Sequence, residues 1–218
     1  FFILGLIACT TDKSTKMDKP DQIRYYFDSM YATVRLTSEL NVLTENEKKM
    51  IPVLIDAAKN MNEIFWIEAY GDKEKLLSSI SDNKLKEFAL INYGPWDRLN
   101  NNKSFIEGIG PKPAGANFYP VDMTKEEFNN SQLQDKTSLY KIIRRNEKGG
   151  LKSIYYHEFF ADKISKASEL LSQAAKLADD PGLKKYLELR SKALLNDNYN
   201  ESDIAWLNMK SNTIDMVI

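Results

Sequence analysis

Apolar residues recur at helical spacing over two long stretches of this chain, and that periodicity restricts the fold before any motif is considered. Met50, Leu54, Ala57, Met61, Ile64 and Phe65 share a face behind Thr44-Glu45-Asn46-Glu47, a capping box in which hydroxyl and carboxylate satisfy orphan backbone donors. This predicts a helix to about Ala69, stopped by Tyr70-Gly71-Asp72. Phe160, Ile164, Ala167, Leu171 and Ala174 line a second helix, ending at Asp179-Asp180. Pro181 then stands at the first position of a third, where its missing N–H costs nothing, followed by Leu183, Tyr186, Leu187, Leu189, Ala193 and Leu194. These last two form a C-terminal helical hairpin. No tetratricopeptide signature or second copy at the ~34-residue period accompanies it, which argues against an array.

Shorter helical patterns cover residues 22–31, 73–80 and 84–91, and Leu139, Ile142 and Ile143 suggest another. Thr124-Lys125-Glu126-Glu127 reads as a second capping box, and Thr33-Val34-Arg35-Leu36-Thr37 alternates like a short strand. The expected class is therefore mainly α with minor β. The closing run Ile214-Asp215-Met216-Val217-Ile218 is apolar with no evident partner for its hydrophobic face, which suggests a fragment of a longer protein.

Between the helical blocks, residues 92–122 hold Gly94-Pro95, Gly110-Pro111, Pro113, Gly115 and Pro120 together with Tyr93, Trp96, Phe105, Phe118 and Tyr119. Loops this long in a compact domain are functional or disordered, and the aromatics argue against disorder. Two readings follow: an ordered loop that staples helices together, or a cleft wall in which Trp96, Asp97 and Arg98 face a ligand. A phosphate loop does not fit. Pro111 and Pro113 lack the N–H donors it needs, and no Lys-Ser/Thr pair follows Gly110.

The start of the chain carries a different signal. Its apolar opening run is far short of the ~20 residues of a spanning helix and suits the core of a secretory signal. It ends Leu6-Ile7-Ala8-Cys9, which looks like a lipobox, with a thiolate to accept the lipid and small Ala8 beside the cleaved bond. Cys9 is the only cysteine, so no internal disulfide is possible. The organisation expected is a leader over residues 1–9, a polar tether over 10–20, and a helical lobe over 21–218. The protein would be exported and lipid-anchored to a bacterial membrane.

Charge excludes one class of partner. Lys plus Arg number 30 against 31 Asp plus Glu, a net −1, with no basic footprint for nucleic acid. The densest basic group, Lys141, Arg144, Arg145, Lys148 and Lys152, sits among turn residues without aromatic interleaving and reads as a solvated face. Asp179-Asp180 and Glu126-Glu127 likewise read as solvated helix ends. Catalytic chemistry is scarce because His157 is the only histidine. His157-Glu158 superficially begins H-E-x-x-H, but Ala161 stands where the second imidazole should be, leaving no zinc ligand set. His157 reads as a structural histidine near a helix start, and no catalytic residue is assigned within the chain.

Several idiosyncratic runs resemble a known family. Ile91-Asn92-Tyr93-Gly94-Pro95-Trp96-Asp97-Arg98-Leu99, the stretch from Gly110 to Pro120, and Ser202-Asp203-Ile204-Ala205-Trp206-Leu207-Asn208-Met209-Lys210 are similar to the amino-terminal lobe of bacterial zinc hydrolases of the dipeptidyl peptidase III family. So are Arg24-Tyr25-Tyr26 and Leu43-Thr44-Glu45, and the similarity runs from about Asp21 to Ile218. The resemblance implies a two-lobed metallopeptidase acting on peptides. An H-E-x-x-G-H helix and a later glutamate would bind zinc beyond Ile218, while this lobe forms one wall of the cleft. It also implies Asp215, by position, as the counterpart of the family's amine-binding carboxylate, with Asp in place of Glu. The alternative is a helical surface lipoprotein that binds glycan or peptide without catalysis.

Overall fold

The computed structural model describes residues 19–218, so Cys9 and the leader expected before it lie outside the described residues. Helix α1 (Lys19–Met30) precedes the long α2 (Glu45–Ala69), which Thr44 caps reciprocally with Glu47 as the sequence predicts. Two short helices follow, α3 (Lys73–Ser79), capped by Asp72, and α4 (Asn83–Asn92), capped by Asp82. The C-terminal hairpin is present as α7 (Ala161–Leu177) and α8 (Pro181–Leu194), with α9 (Asn200–Leu207) beyond it. Its two helices are stitched by Ser168, whose hydroxyl donates to the Ser191 carbonyl at 2.6 Å. Mainly α with minor β is the observed class.

Two hydrophobic clusters organise the molecule, and α2 belongs to both. Met50, Leu54, Ala57 and Ile64 pack with Ile164, Leu171, Leu183, Tyr186 and Leu187 of the hairpin in the larger one. Trp66, at the far end of α2, joins Phe27, Leu76, Phe88 and Phe105 in the smaller one. Leu171, Tyr186 and Leu187 are fully buried, and each such side chain contributes roughly 1.5–3 kcal/mol through area removed from water. Phe65, expected on the core face, instead sits 48% exposed with its ring edge-on to Tyr93.

The structure corrects several expectations. Leu139, Ile142 and Ile143 do not form a helix. Ile142 and Ile143 lie in β3 (Lys141–Arg145), which pairs antiparallel with β4 (Leu151–Tyr155). The turn between the strands is closed by the Asn146 amide donating to the Gly150 carbonyl at 2.8 Å, with Gly149 left-handed at φ 80°. Ile142 faces the larger core while Ile143 is bonded through its backbone to Phe118, so both are buried and no alternation marks the strand. Residues 33–37 are not a strand: they pair with nothing among the described residues, leaving Val34 and Leu36 exposed. The apolar end of the chain is partnered after all. Ile214, Met216 and Ile218 pack against the larger core, and the Ile218 amide donates to the Tyr186 hydroxyl.

The charged segments also read differently in three dimensions. Lys141, Arg144, Arg145 and Lys152 stand on the hairpin strands rather than in a turn. The Lys141 side chain is only 7% exposed, its ammonium 4.2 Å from the Tyr155 ring centre, and Arg144 is half-buried. On α5 (Lys125–Asn130), Thr124 caps the Glu127 amide, but the reciprocal bond of a capping box is absent: the Glu127 carboxylate turns to Arg145. Nor are Asp179 and Asp180 simply solvated. Asp179 accepts from Thr44 at 2.6 Å and from Asn46, tying the hairpin to the start of α2, and Asp180 caps α8.

Candidate functional site

The segment after α4 is fixed by its own polar side chains. Tyr93 ends the helix in a left-handed conformation at φ 53°, and Gly94 follows at φ 151°, which disfavours any side chain. A Cβ there would also stand 3.3 Å from the Trp96 ring. The buried Asn92 carboxamide donates to the Phe88 carbonyl and accepts from the Arg98 amide, tying the loop back to α4. The short strands β1 (Trp96–Asp97) and β2 (Lys103–Ser104) then pair antiparallel.

This geometry separates the three residues expected to face a ligand together. The Trp96 indole is buried against Tyr70, and its N–H donates to the Gly110 carbonyl at 2.9 Å. Asp97 is 3% exposed; its carboxylate accepts from the Leu99 amide, and its carbonyl accepts from Asn100 and Asn102. Burial, then the hydrogen bond and charge of Asp97, push the Tyr26 hydroxyl above its ordinary range. Arg98 alone of the three is exposed. Asp215 is exposed elsewhere, beside the larger core, where it accepts from the Trp206 indole at 3.2 Å. The four do not converge on one point.

What faces outward is the next part of the loop. Asn117 fastens it to the end of α2, its side chain donating to the Ile67 carbonyl at 2.7 Å and its amide to the Glu68 carbonyl at 2.8 Å. Arg144 and the Ile143 amide both donate to the Phe118 carbonyl from the hairpin side. Held from both sides, residues 111–116 and Tyr119 form the shared wall of two open grooves of about 610 and 630 Å³. Volumes in this range suit small ligands or a short peptide.

Beneath the loop lies a polar junction that the sequence did not signal, because its members are far apart in the chain. Glu68 from α2, Tyr156 of α6 (Tyr156–Phe159) and Arg144 meet there and act on one another's charge. Burial raises the Glu68 carboxyl, with Tyr156 and the Arg144 charge opposing it. Burial and the Glu68 charge push the Tyr156 hydroxyl well above its usual range, and burial lowers Arg144, whose guanidinium lies over the Phe159 ring.

His157 is structural in its contacts. Its Nδ1 is 2.6 Å from Asp197 Oδ2, and its ring stacks on Tyr155. Asp197 is buried with φ 55°, a left-handed conformation that Asp tolerates better than most residues. Among the described residues no three His, Cys, Asp or Glu side chains are grouped to hold a metal ion. That donor set does not fit zinc.

Fold and site together define a helical lobe presenting a loop-built face, and comparison with known proteins places it further. The chain superposes on the structure of dipeptidyl peptidase III from Caldithrix abyssi with a TM-score of 0.82 and 39% identity, covering 88% of this chain and 38% of that one. Against dipeptidyl-peptidase III from Corallococcus sp. strain EGB the TM-score is 0.80 and the identity 29%, covering 89% of this chain and 38% of the other. The resemblance read from the sequence therefore holds in three dimensions, and its extent fits the amino-terminal lobe of those structures. "Nudix hydrolase 3" of Arabidopsis thaliana is 28% identical over 243 aligned positions, 83% of this chain. The chain spans 32% of that protein, so the relation to it is distant. No protein-family model matches.

Proposed function

We propose that this chain is the non-catalytic amino-terminal lobe of a zinc-dependent, dipeptidyl-peptidase-like hydrolase, forming one wall of its peptide cleft. The observation that carries the reading is the superposition on the Caldithrix abyssi enzyme, at 39% identity over 88% of this chain. The loop from Asn92 to Asp122 supports a wall in particular, being aromatic, ordered and fastened to both α2 and the hairpin. In this proposal zinc and its ligands belong to the part of the relatives' length that this chain does not span. Zinc there would supply the Lewis acid for peptide hydrolysis. This lobe would position the substrate.

The test is a chimera in which residues 21–218 replace the corresponding part of the Caldithrix abyssi enzyme. Cleavage of a dipeptidyl-naphthylamide within about tenfold of the parent is expected. A folded, zinc-loaded chimera without activity would overturn the proposal in favour of a binding lipoprotein. Export and anchoring through Cys9 are a separate proposal. Fatty-acid labelling should mark the wild type and not Cys9→Ala.

A further inference from the structure

Both loop-built grooves share one wall and one electrostatic character. Lys112 borders both and Lys125 borders the larger, and no carboxylate lines either. Among the described residues, neither ammonium has a hydrogen-bond or ion-pair partner. Of the carboxylates near in sequence, Asp122 and Glu127 hold Arg145 on the hairpin, and Glu107 and Glu126 line neither groove. A chain of net charge −1 thus presents a locally cationic groove with two uncommitted lysines. A bound carboxylate would give each ammonium a charge-assisted hydrogen bond.

The floor between the lysines is apolar and braced. Tyr119 meets Phe128 edge-on with centroids 6.4 Å apart, and Val121 stands 80% exposed beside them. Lys136 fixes the end of α5 by donating to the carbonyls of Phe128, Asn129 and Ser131, its ammonium lying over the Phe128 ring. With Arg145 gripping Glu127 from the other side, the groove is preorganised, and little ordering cost falls on binding.

We propose that the groove between Lys112 and Lys125, floored by Tyr119, Val121 and Phe128, docks an extended acidic peptide segment in which carboxylates alternate with apolar side chains. The carboxylates meet the lysines and the apolar side chains cover the floor. This docking requires only the residues that line the groove.

The test measures anisotropy of fluorescein-labelled Glu-Leu-Glu-Leu-Glu with the 218-residue chain, alongside the Gln-Leu-Gln-Leu-Gln counterpart. The acidic peptide should bind at least about tenfold more tightly and weaken as salt is raised. Each of Lys112→Ala and Lys125→Ala should cost about fivefold, the worth of an exposed charge pair. Val121→Glu, at an exposed position where folding is not at stake, should weaken the acidic peptide more than the Gln peptide, because it adds a like charge for the first and removes an apolar contact for both. Equal binding of both peptides, or full binding by the double lysine variant, overturns the proposal. So does tight binding to vesicles of phosphatidylcholine with phosphatidylglycerol when neither peptide binds, which would assign the lysines to a membrane surface.

Discussion

Glu68 on α2 and Tyr156 on α6 lie close enough across their junction for each to shift the other's ionisation, and the Arg144 guanidinium acts on both. Glu68 is 8% exposed, and burial raises its carboxyl despite Tyr156 and Arg144. A carboxyl raised on folding contributes stability that is full below its unfolded value and lost as pH rises through its folded value. Thermal melts should therefore show the wild type losing ground to Glu68→Gln between mildly acidic and neutral pH, with the variant the more stable at pH 7. Parallel melting curves for the two proteins would remove Glu68 from the account.

The His157–Asp197 pair predicts an asymmetry. Asp197 is buried, with its second oxygen Oδ1 unpartnered, while His157 remains 26% exposed. Removing the histidine leaves a buried carboxylate without its partner, at a cost of about 3 kcal/mol. Asp197→Asn keeps the left-handed tolerance and an acceptor for His157, and should cost about 1 kcal/mol. Urea denaturation of His157→Ala and Asp197→Asn tests the order; equal losses would mean that the carboxylate is solvated.

Thr44 and Thr124 look alike in sequence and differ in surroundings. Thr44 caps α2 reciprocally with Glu47, and its hydroxyl donates to Asp179 across the fold. Thr124 caps only a short helix whose Glu127 is engaged elsewhere. Thr44→Ala should destabilise by about 1.5–2 kcal/mol, at the upper end for a cap, and Thr124→Ala by about 0.5 kcal/mol. Matching values from chemical denaturation would mean the bond to Asp179 adds nothing.

That pair shows what sequence could and could not convey. Cap, helix face and proline position are local, so α2, α7 and α8 were legible within a few residues of their ends. Ile142 and Ile143 read as helix because Leu139, Ile142 and Ile143 mimic helical spacing, while the hairpin signal lies in the Asn146 to Gly150 turn behind them. Burial on both faces removed the alternation that marks a half-exposed strand. At the site, an aromatic loop could be recognised, but not which way it faces. Trp96 and Asp97 turn inward because Gly110 and Leu99 supply their hydrogen-bond partners. The grooves around residues 111–128 depend on Asn117 and Arg144, which meet the loop from elements far along the chain. Asp215, placed by resemblance alone, is found beside Trp206.

Asp215 supplies the last prediction. It is exposed, and among the described residues its hydrogen-bond partner is the Trp206 indole N–H at 3.2 Å, so its charge is available to a cation. If the lobe closes over a peptide, as the proposed function requires, a substrate ammonium could take that charge as its partner. In the chimera with the Caldithrix abyssi enzyme, Asp215→Ala should raise KM about tenfold for peptides with a free amino terminus and leave kcat nearly unchanged, the signature of binding shared by ground and transition states. An acetylated peptide should lose nothing. The magnitude discriminates between settings: an exposed pair is worth under ~1 kcal/mol, whereas one desolvated by closure is worth several. A KM unchanged to within twofold for the free-amine peptide would confine Asp215 to its bond with Trp206, and the carboxylate that receives the amine would have to be sought on the opposite lobe.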